Sequence, residues 1–122
     1  ALASSLPDAR RFYAALVNDN IQDIPQLVAG WPYAGYHMTV FSTPEEQFSE
    51  THQLKGHVFF YPAIALTDAG ATVETAKIWT PNVVIDRELI TAQQPFSDKE
   101  FSVSLVNALN NQSKHQAKAP LR

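Results

Sequence analysis

The sequence has no cysteine among its 122 residues. Disulfides, thiolate metal sites and cysteine nucleophiles are therefore excluded within these residues. It also lacks an apolar run close to the roughly 20 residues that a membrane-spanning helix needs. A signal peptide, with its basic start and long apolar stretch, is not recognisable either. We expect no membrane partner, and nothing in the sequence points outside the cell, so we expect a cytoplasmic location.

Clustered positive charge is also lacking. The formal net charge is −3 and Lys and Arg are scattered. A nucleic-acid partner is therefore not expected, since phosphate binding requires grouped cations. Apolar residues make up 45% and charged residues 17% of the chain, which is ordinary for a folded soluble domain. We assign residues 1–109 to one domain and residues 110–122, which lack apolar periodicity, to a polar tail.

Helical and strand patterns alternate along the chain. The patterns predict a helix over 7–18, an ordered loop over 21–33, a strand over 36–41, a polar segment over 47–55, a helix over 62–69 ended by Gly70, and a strand over 71–78. Such alternation predicts an α/β fold, a layered sheet with helices packed on its faces.

The segment 79–97 is the best specified. Two β-rich runs, 83–85 and 89–91, flank the polar break at 86–88, which predicts a hairpin. Ser97 with Glu100 three residues later predicts a capping box at the start of the last helix. The hairpin brings Gln93 and Gln94 to this helix start, which makes their loop a first candidate for a site.

A second junction follows the strand at 36–41. Thr43 is the predicted N-cap, Pro44 suits the first helical position, and Glu46 falls at the third. In α/β proteins, a sharp turn from a strand into a helix is a common position for reactive groups.

Several segments together resemble one protein family. They are Gly35–Phe41, Gly56-His57 with Phe60-Tyr61, Ala69–Ala71, and Asp86–Thr91 with Gln93, Pro95 and Ser97. In these residues the chain resembles the ThiJ/PfpI superfamily, which is related to class I glutamine amidotransferases. The branch it is most similar to is that of holding chaperones with glyoxalase III activity. The resemblance implies a flavodoxin-like layered sheet with helices on both faces, of which this chain is the C-terminal portion.

The resemblance also implies a nucleophile that this chain does not contain. In the family, a cysteine on a strand-to-helix turn is followed by His-Gly-Pro and a helix. Ala1-Leu2-Ala3 looks like the start of that helix. We therefore expect the nucleophile in a missing N-terminal half, or in a second chain that carries the Cys-His elbow. The 122 residues alone are not expected to perform the family's chemistry.

Glu46 is the candidate catalytic residue that the resemblance selects. Counting from Gly35 through Phe41 places the family's third triad member at Glu46. A carboxylate in that position orients the imidazole and stabilises its protonated form. The alternatives are that Glu46 only caps its helix and that Glu45 is the acid.

Four further residues are candidate binding residues. His57 belongs to the shared Gly-His pair, Gln93 and Gln94 have amides suited to a substrate carbonyl, and Trp79 has a ring suited to a pocket wall. A structural role is an alternative for each of them. His37, His52 and Glu50 would suit zinc by residue type, but their spacing fits no metal-site pattern, so we predict no metal.

The function that the resemblance implies is cysteine-dependent chemistry on small reactive carbonyls. The model reaction is the conversion of methylglyoxal to lactate without a cofactor, or a related hydrolysis. A thiolate forms a hemithioacetal and an adjacent base moves the proton. Relatives are commonly dimers, so a homodimer is expected. Two alternatives stay open: a stress-type holding chaperone without turnover, and a half that lacks the nucleophile and serves as a binding or structural protein.

Overall fold

The computed structural model describes residues 2–117 and has the mixed α/β fold that the sequence predicts. The helices are α1 (Ala9–Val17), α2 (Ile24–Leu27), α3 (Thr43–Ser49), α4 (Pro62–Ala69) and α5 (Asp98–Ala117). The strands are β1 (His37–Met38), β2 (Thr72–Val73), β3 (Val83–Asp86) and β4 (Leu89–Ala92). Shorter helical turns cover Leu2–Ser5, Ile21–Asp23, Glu50–Leu54 and Pro95–Ser97.

The strands form two small sheets. β1 and β2 are parallel, with His37 opposite Thr72, whereas β3 and β4 form the antiparallel hairpin that was predicted. The runs 36–41 and 71–78 were both predicted as longer strands, and this was wrong. Side chains of the hairpin explain part of the difference: Asp86 Oδ2 accepts from His37 N at 2.7 Å and Thr91 Oγ1 accepts from Thr39 N at 2.9 Å. Those amides therefore bond side chains instead of a backbone ladder.

The apolar core lies among α1, α2, β1 and α4. Phe12 and Met38 are fully buried at its centre, and Trp31 closes one side. The predicted helix 62–69 is confirmed with its bounds, and Gly70 ends it at φ 113, a left-handed conformation that suits glycine.

Two helix starts differ from the predictions because other side chains form the caps. α1 begins at Ala9, after Asp8, whose carboxylate accepts from Arg11 N at 3.2 Å. The capping box of α3 lies one residue earlier than predicted, with Ser42 and Glu45 in place of Thr43 and Glu46. α5 begins at Asp98, as the pattern predicts, but Ser97 does not form the predicted capping box, because its hydroxyl bonds the Asn82 backbone.

The segments expected to be irregular contain more helix than the sequence indicates. α2 lies inside the predicted loop 21–33, and the chain at 47–55 completes α3 and continues as a π-helical turn. α5 continues to Ala117, past the predicted start of the tail at residue 110, while residues 118–122 lie outside the described part. None of the described helices is long and apolar enough to cross a membrane.

Candidate functional site

Glu45 is a fully buried carboxylate at the start of α3. Its Oε1 accepts from Ser42 N at 2.9 Å, Ser42 Oγ at 2.9 Å and Gln93 Nε2 at 2.8 Å. Its Oε2 accepts from Trp79 N at 2.9 Å. Burial raises the pKa of Glu45, but these bonds outweigh it, so the pKa lies below its usual value. Glu45 is therefore ionised and fully engaged in holding three segments together.

Gln93 extends this network and is itself completely buried. Its Oε1 accepts from Ala76 N at 2.8 Å and from Asn82 Nδ2 at 3.0 Å. Its Nε2 donates to Glu45 at 2.8 Å and to the Ala76 carbonyl at 3.2 Å. All four hydrogen-bonding positions of this amide are occupied. Gln93 has no atom free for a ligand in this structure, which fits the structural alternative to its predicted binding role.

Gln94 is also used internally. Its Oε1 accepts from Phe96 N at 2.7 Å and its Nε2 donates to the Thr80 carbonyl at 2.7 Å, so it caps the turn that leads into α5. Trp79 lies beside this turn with a positive φ of 58, held by the bond to Glu45. Its ring packs edge-on against Phe41, Phe48 and Phe96. Trp79 is thus the centre of an aromatic cluster and lines none of the described clefts.

Glu46 lies one residue further along α3 and has a different environment. It is half-buried, and none of the described hydrogen bonds involves its side chain. Its pKa is raised above its usual value by burial and then by the charges of Glu50 and Glu45. Of the two adjacent acids, Glu46 is the one with an uncommitted carboxylate.

A third acid of the same helical stretch, Glu50, is buried and bonds the segment after the π-helical turn. Oε1 accepts from Tyr61 Oη at 2.6 Å, and Oε2 accepts from Val58 N at 2.9 Å and from His57 Nδ1 at 3.0 Å. The Tyr61 hydrogen bond is the main cause of a pKa below the usual value for Glu50. The His57 side chain is 92% exposed, so Glu50 orients an imidazole that solvent can reach.

Two clefts border these elements. The larger, about 470 Å³, lies between the end of α1 and the segment 57–68 and includes Glu50 and His57. The smaller, about 300 Å³, is mostly apolar and lies between residues 2–3, at the beginning of the described chain, and residues 39–40, which follow β1.

The structure brings the sequence-predicted residues together only in part. Gln93 and Trp79 both donate to Glu45, Gln94 bonds Thr80 and Phe96 instead, and His57 bonds Glu50. The role of Glu50 as the partner of His57 was not foreseen. The only sign of this pair in the sequence was an acid a few residues before the Gly-His pair. The two side chains meet because the π-helical turn reverses the chain and returns His57 to Glu50. Within residues 2–117, no group of three or more His, Asp or Glu side chains is placed to hold a metal ion.

Comparison with known proteins supports the fold alone. No family model matches the sequence, and the search of curated proteins gives no significant match. Two crystal structures are similar. The protein designated APC35852 is 28% identical over 66% of this chain, with a TM-score of 0.58. The Francisella tularensis Rapid Encystment Protein 24 KDa (REP24) is 23% identical over 85% of this chain, with a TM-score of 0.61. The chain spans 35% of the first protein and 52% of the second.

Proposed function

We propose that this chain is the C-terminal part of a ThiJ/PfpI-like, cysteine-dependent enzyme acting on small reactive carbonyls. The observation that carries the proposal is the contrast between two adjacent acids. Glu45 is fully buried and accepts four internal hydrogen bonds, whereas Glu46 is half-buried with no described hydrogen bond. The position that the family resemblance selects for the triad acid is therefore the one whose carboxylate is available.

In this scheme a cysteine thiolate, outside the 122 residues, attacks the aldehyde carbon of methylglyoxal. The bond formed is C–S, and the carbonyl oxygen takes a proton to give a hemithioacetal. An adjacent base then moves the proton from the former aldehyde carbon to the neighbouring carbonyl carbon, and water cleaves the C–S bond to release lactate and the thiolate, while Glu46 orients the histidine beside the cysteine. We further propose a cytoplasmic homodimer that needs no cofactor.

The first test asks whether the nucleophile exists in the molecule. Intact-mass measurement of the protein from its natural source, with sequencing of its N-terminus, is expected to show an upstream segment or a second chain with a Cys-His pair. A natural product limited to these 122 residues would remove the enzyme and leave a binding or structural protein.

The second test is kinetic. In the molecule that carries the cysteine, Glu46→Gln is expected to lower kcat for methylglyoxal by about 100-fold or more, because the histidine that it orients would lose its carboxylate partner. Glu100→Gln, an exposed acid on α5, is the matched control and should retain the wild-type rate. An unchanged rate for Glu46→Gln would exclude this residue from the site.

A second candidate function is a holding chaperone. The observation that favours it is the outer face of α5, where Val103, Val106 and Leu109 are each 54% exposed. Contiguous apolar exposure of this kind is typical of surfaces that bind other chains. Suppression of client aggregation should then survive loss of the cysteine and fall for Val106→Ser. An equal fall in aggregation suppression for Ser102→Ala, at a polar position of α5, would contradict the chaperone function.

A further inference from the structure

The larger cleft has features that the proposed carbonyl chemistry does not use. It is bounded on one side by the end of α1 and on the other by residues 57–61 and α4. Its volume of about 470 Å³ is in the range of sites for small organic molecules. The small cleft near the start of the chain has a separate lining, with only Phe60 in common.

Apolar side chains in the lining are left open to solvent. Phe59 is 87% exposed, Ile21 is 66% exposed and Ile64 is 49% exposed. Leu16 and Ile24 continue the apolar wall toward the core. Three large apolar groups around one concave surface favour a ligand with a hydrocarbon or aromatic body, because covering them removes apolar area from water.

The charge in the lining has one sign. The ionisable residues that line the cleft are Asp19, Glu50, His57, Tyr61 and Asp68, with no Lys or Arg. Asp68 forms none of the described ion pairs, and burial raises its pKa. Glu50 accepts one hydrogen bond at Oε1 and two at Oε2, so it retains acceptor capacity. The wall is thus complementary to a positive group.

His57 adds an oriented acceptor. Its Nδ1 lies 3.0 Å from the Glu50 carboxylate and therefore carries the proton in the neutral ring. The lone pair of the neutral imidazole is then on Nε2, which is available because the side chain is 92% exposed. An N–H donor of a ligand can bond this nitrogen.

We propose that this cleft is a binding site for a primary amine that carries an apolar body. Its ammonium group would bond the carboxylates and His57 Nε2, while its hydrocarbon would cover Phe59, Ile21 and Ile64. A metal ion is disfavoured as the occupant, because the described residues offer no set of three ligands. The proposal is independent of the cysteine chemistry and would stand if that failed.

The experiment is a titration of the protein, followed by isothermal calorimetry and by backbone amide NMR. The probes are 2-phenylethylamine, phenylacetate and ethylamine, which separate the cation from the apolar body. We expect saturable binding of 2-phenylethylamine, with amide shifts at His57, Val58 and Asp68, and weaker binding of the other two. Equal binding of phenylacetate, shifts confined to the small cleft or to α5, or no saturation at millimolar amine would each overturn the proposal.

Variants then locate the contact. Asp68→Asn is expected to weaken 2-phenylethylamine binding by about twofold to fivefold, the scale of a partly exposed charge contact. His57→Gln should weaken it by a similar factor, because the ring nitrogen that accepts from the amine is removed. The controls are Asp98→Asn on α5 and His52→Gln, whose ring stacks on Phe48 at 4.1 Å outside the cleft lining. Wild-type affinity in both Asp68→Asn and His57→Gln would overturn the proposal.

Discussion

Glu45 and Glu50 are both buried carboxylates on one helical stretch, and both have a pKa lowered by several hydrogen bonds. They differ in where their partners come from. Two of the donors to Glu45 belong to segments far along the chain, Trp79 and Gln93, and join them to α3. The donors to Glu50 all lie within 57–61, and one of them is an exposed imidazole beside a cleft.

The comparison shows that burial and a shifted pKa do not by themselves identify a functional acid. Glu45 has both properties, and all four of its hydrogen bonds join parts of the fold to one another. Glu50 has both as well, but it borders open space and holds a group that can react or bind. Glu46, between them, has the raised pKa and the free carboxylate. The position of the partners distinguishes the three acids more clearly than the direction of the pKa shift.

The largest expected effect comes from removing one oxygen of Glu45. Glu45→Gln should lower the free energy of unfolding by about 3 kcal/mol or more, since a buried donor left without an acceptor costs about 1–3 kcal/mol. Whichever way the new amide is turned, its nitrogen is a donor that faces another donor: Trp79 N at the position of Oε2, or three donors at the position of Oε1. Urea denaturation at neutral pH measures the change. Glu46→Gln is the matched control and should alter stability by less than about 0.5 kcal/mol; equal losses in the two variants would contradict the distinction.

A smaller effect, with a defined pH dependence, is expected for Gln93→Glu. The substitution replaces the donor to Glu45 with a second carboxylate and should cost roughly 2 kcal/mol at neutral pH. The charge of Glu45 raises the folded-state pKa of the carboxyl group introduced at position 93. Between its unfolded and folded pKa values, that group is protonated in the folded state and ionised in the unfolded state. The loss relative to wild type should therefore shrink as the pH falls toward the ordinary Glu pKa. Gln112→Glu on exposed α5 should show no such trend, and a pH-independent loss in Gln93→Glu would be evidence against contact with Glu45.

The smallest effect is expected at Glu50. Its folded-state pKa is lowered, so its contribution to stability is present above the unfolded pKa of about 4.3 and is lost as the pH falls through the folded value. Glu50→Gln should be less stable than wild type at neutral pH, by less than Glu45→Gln, and the two curves should converge in acid. Hydrogen exchange should locate the loosened amides at Val58 and its neighbours. Faster exchange spread across the hairpin instead would show that Glu50 joins distant segments as Glu45 does.

The amino-acid sequence by itself determined the α/β class, the helix 62–69 with its glycine stop, and the hairpin. These depend on local patterns: apolar periodicity, β-branched runs and turn residues at fixed spacing. Candidate residues also came from the sequence, because residue type and family resemblance can be read without coordinates.

Only the tertiary structure decided which side chains were available. Ser97 matches the local capping pattern, yet its hydroxyl bonds Asn82, and Ser42 takes the cap expected of Thr43. Gln93 has the right chemistry for a substrate and no free atom, and His57 acquires its orientation from Glu50. Each of these depends on contacts between segments that are separate in sequence. A hydrogen-bonding group binds the partner that the fold brings within reach, which local pattern cannot specify.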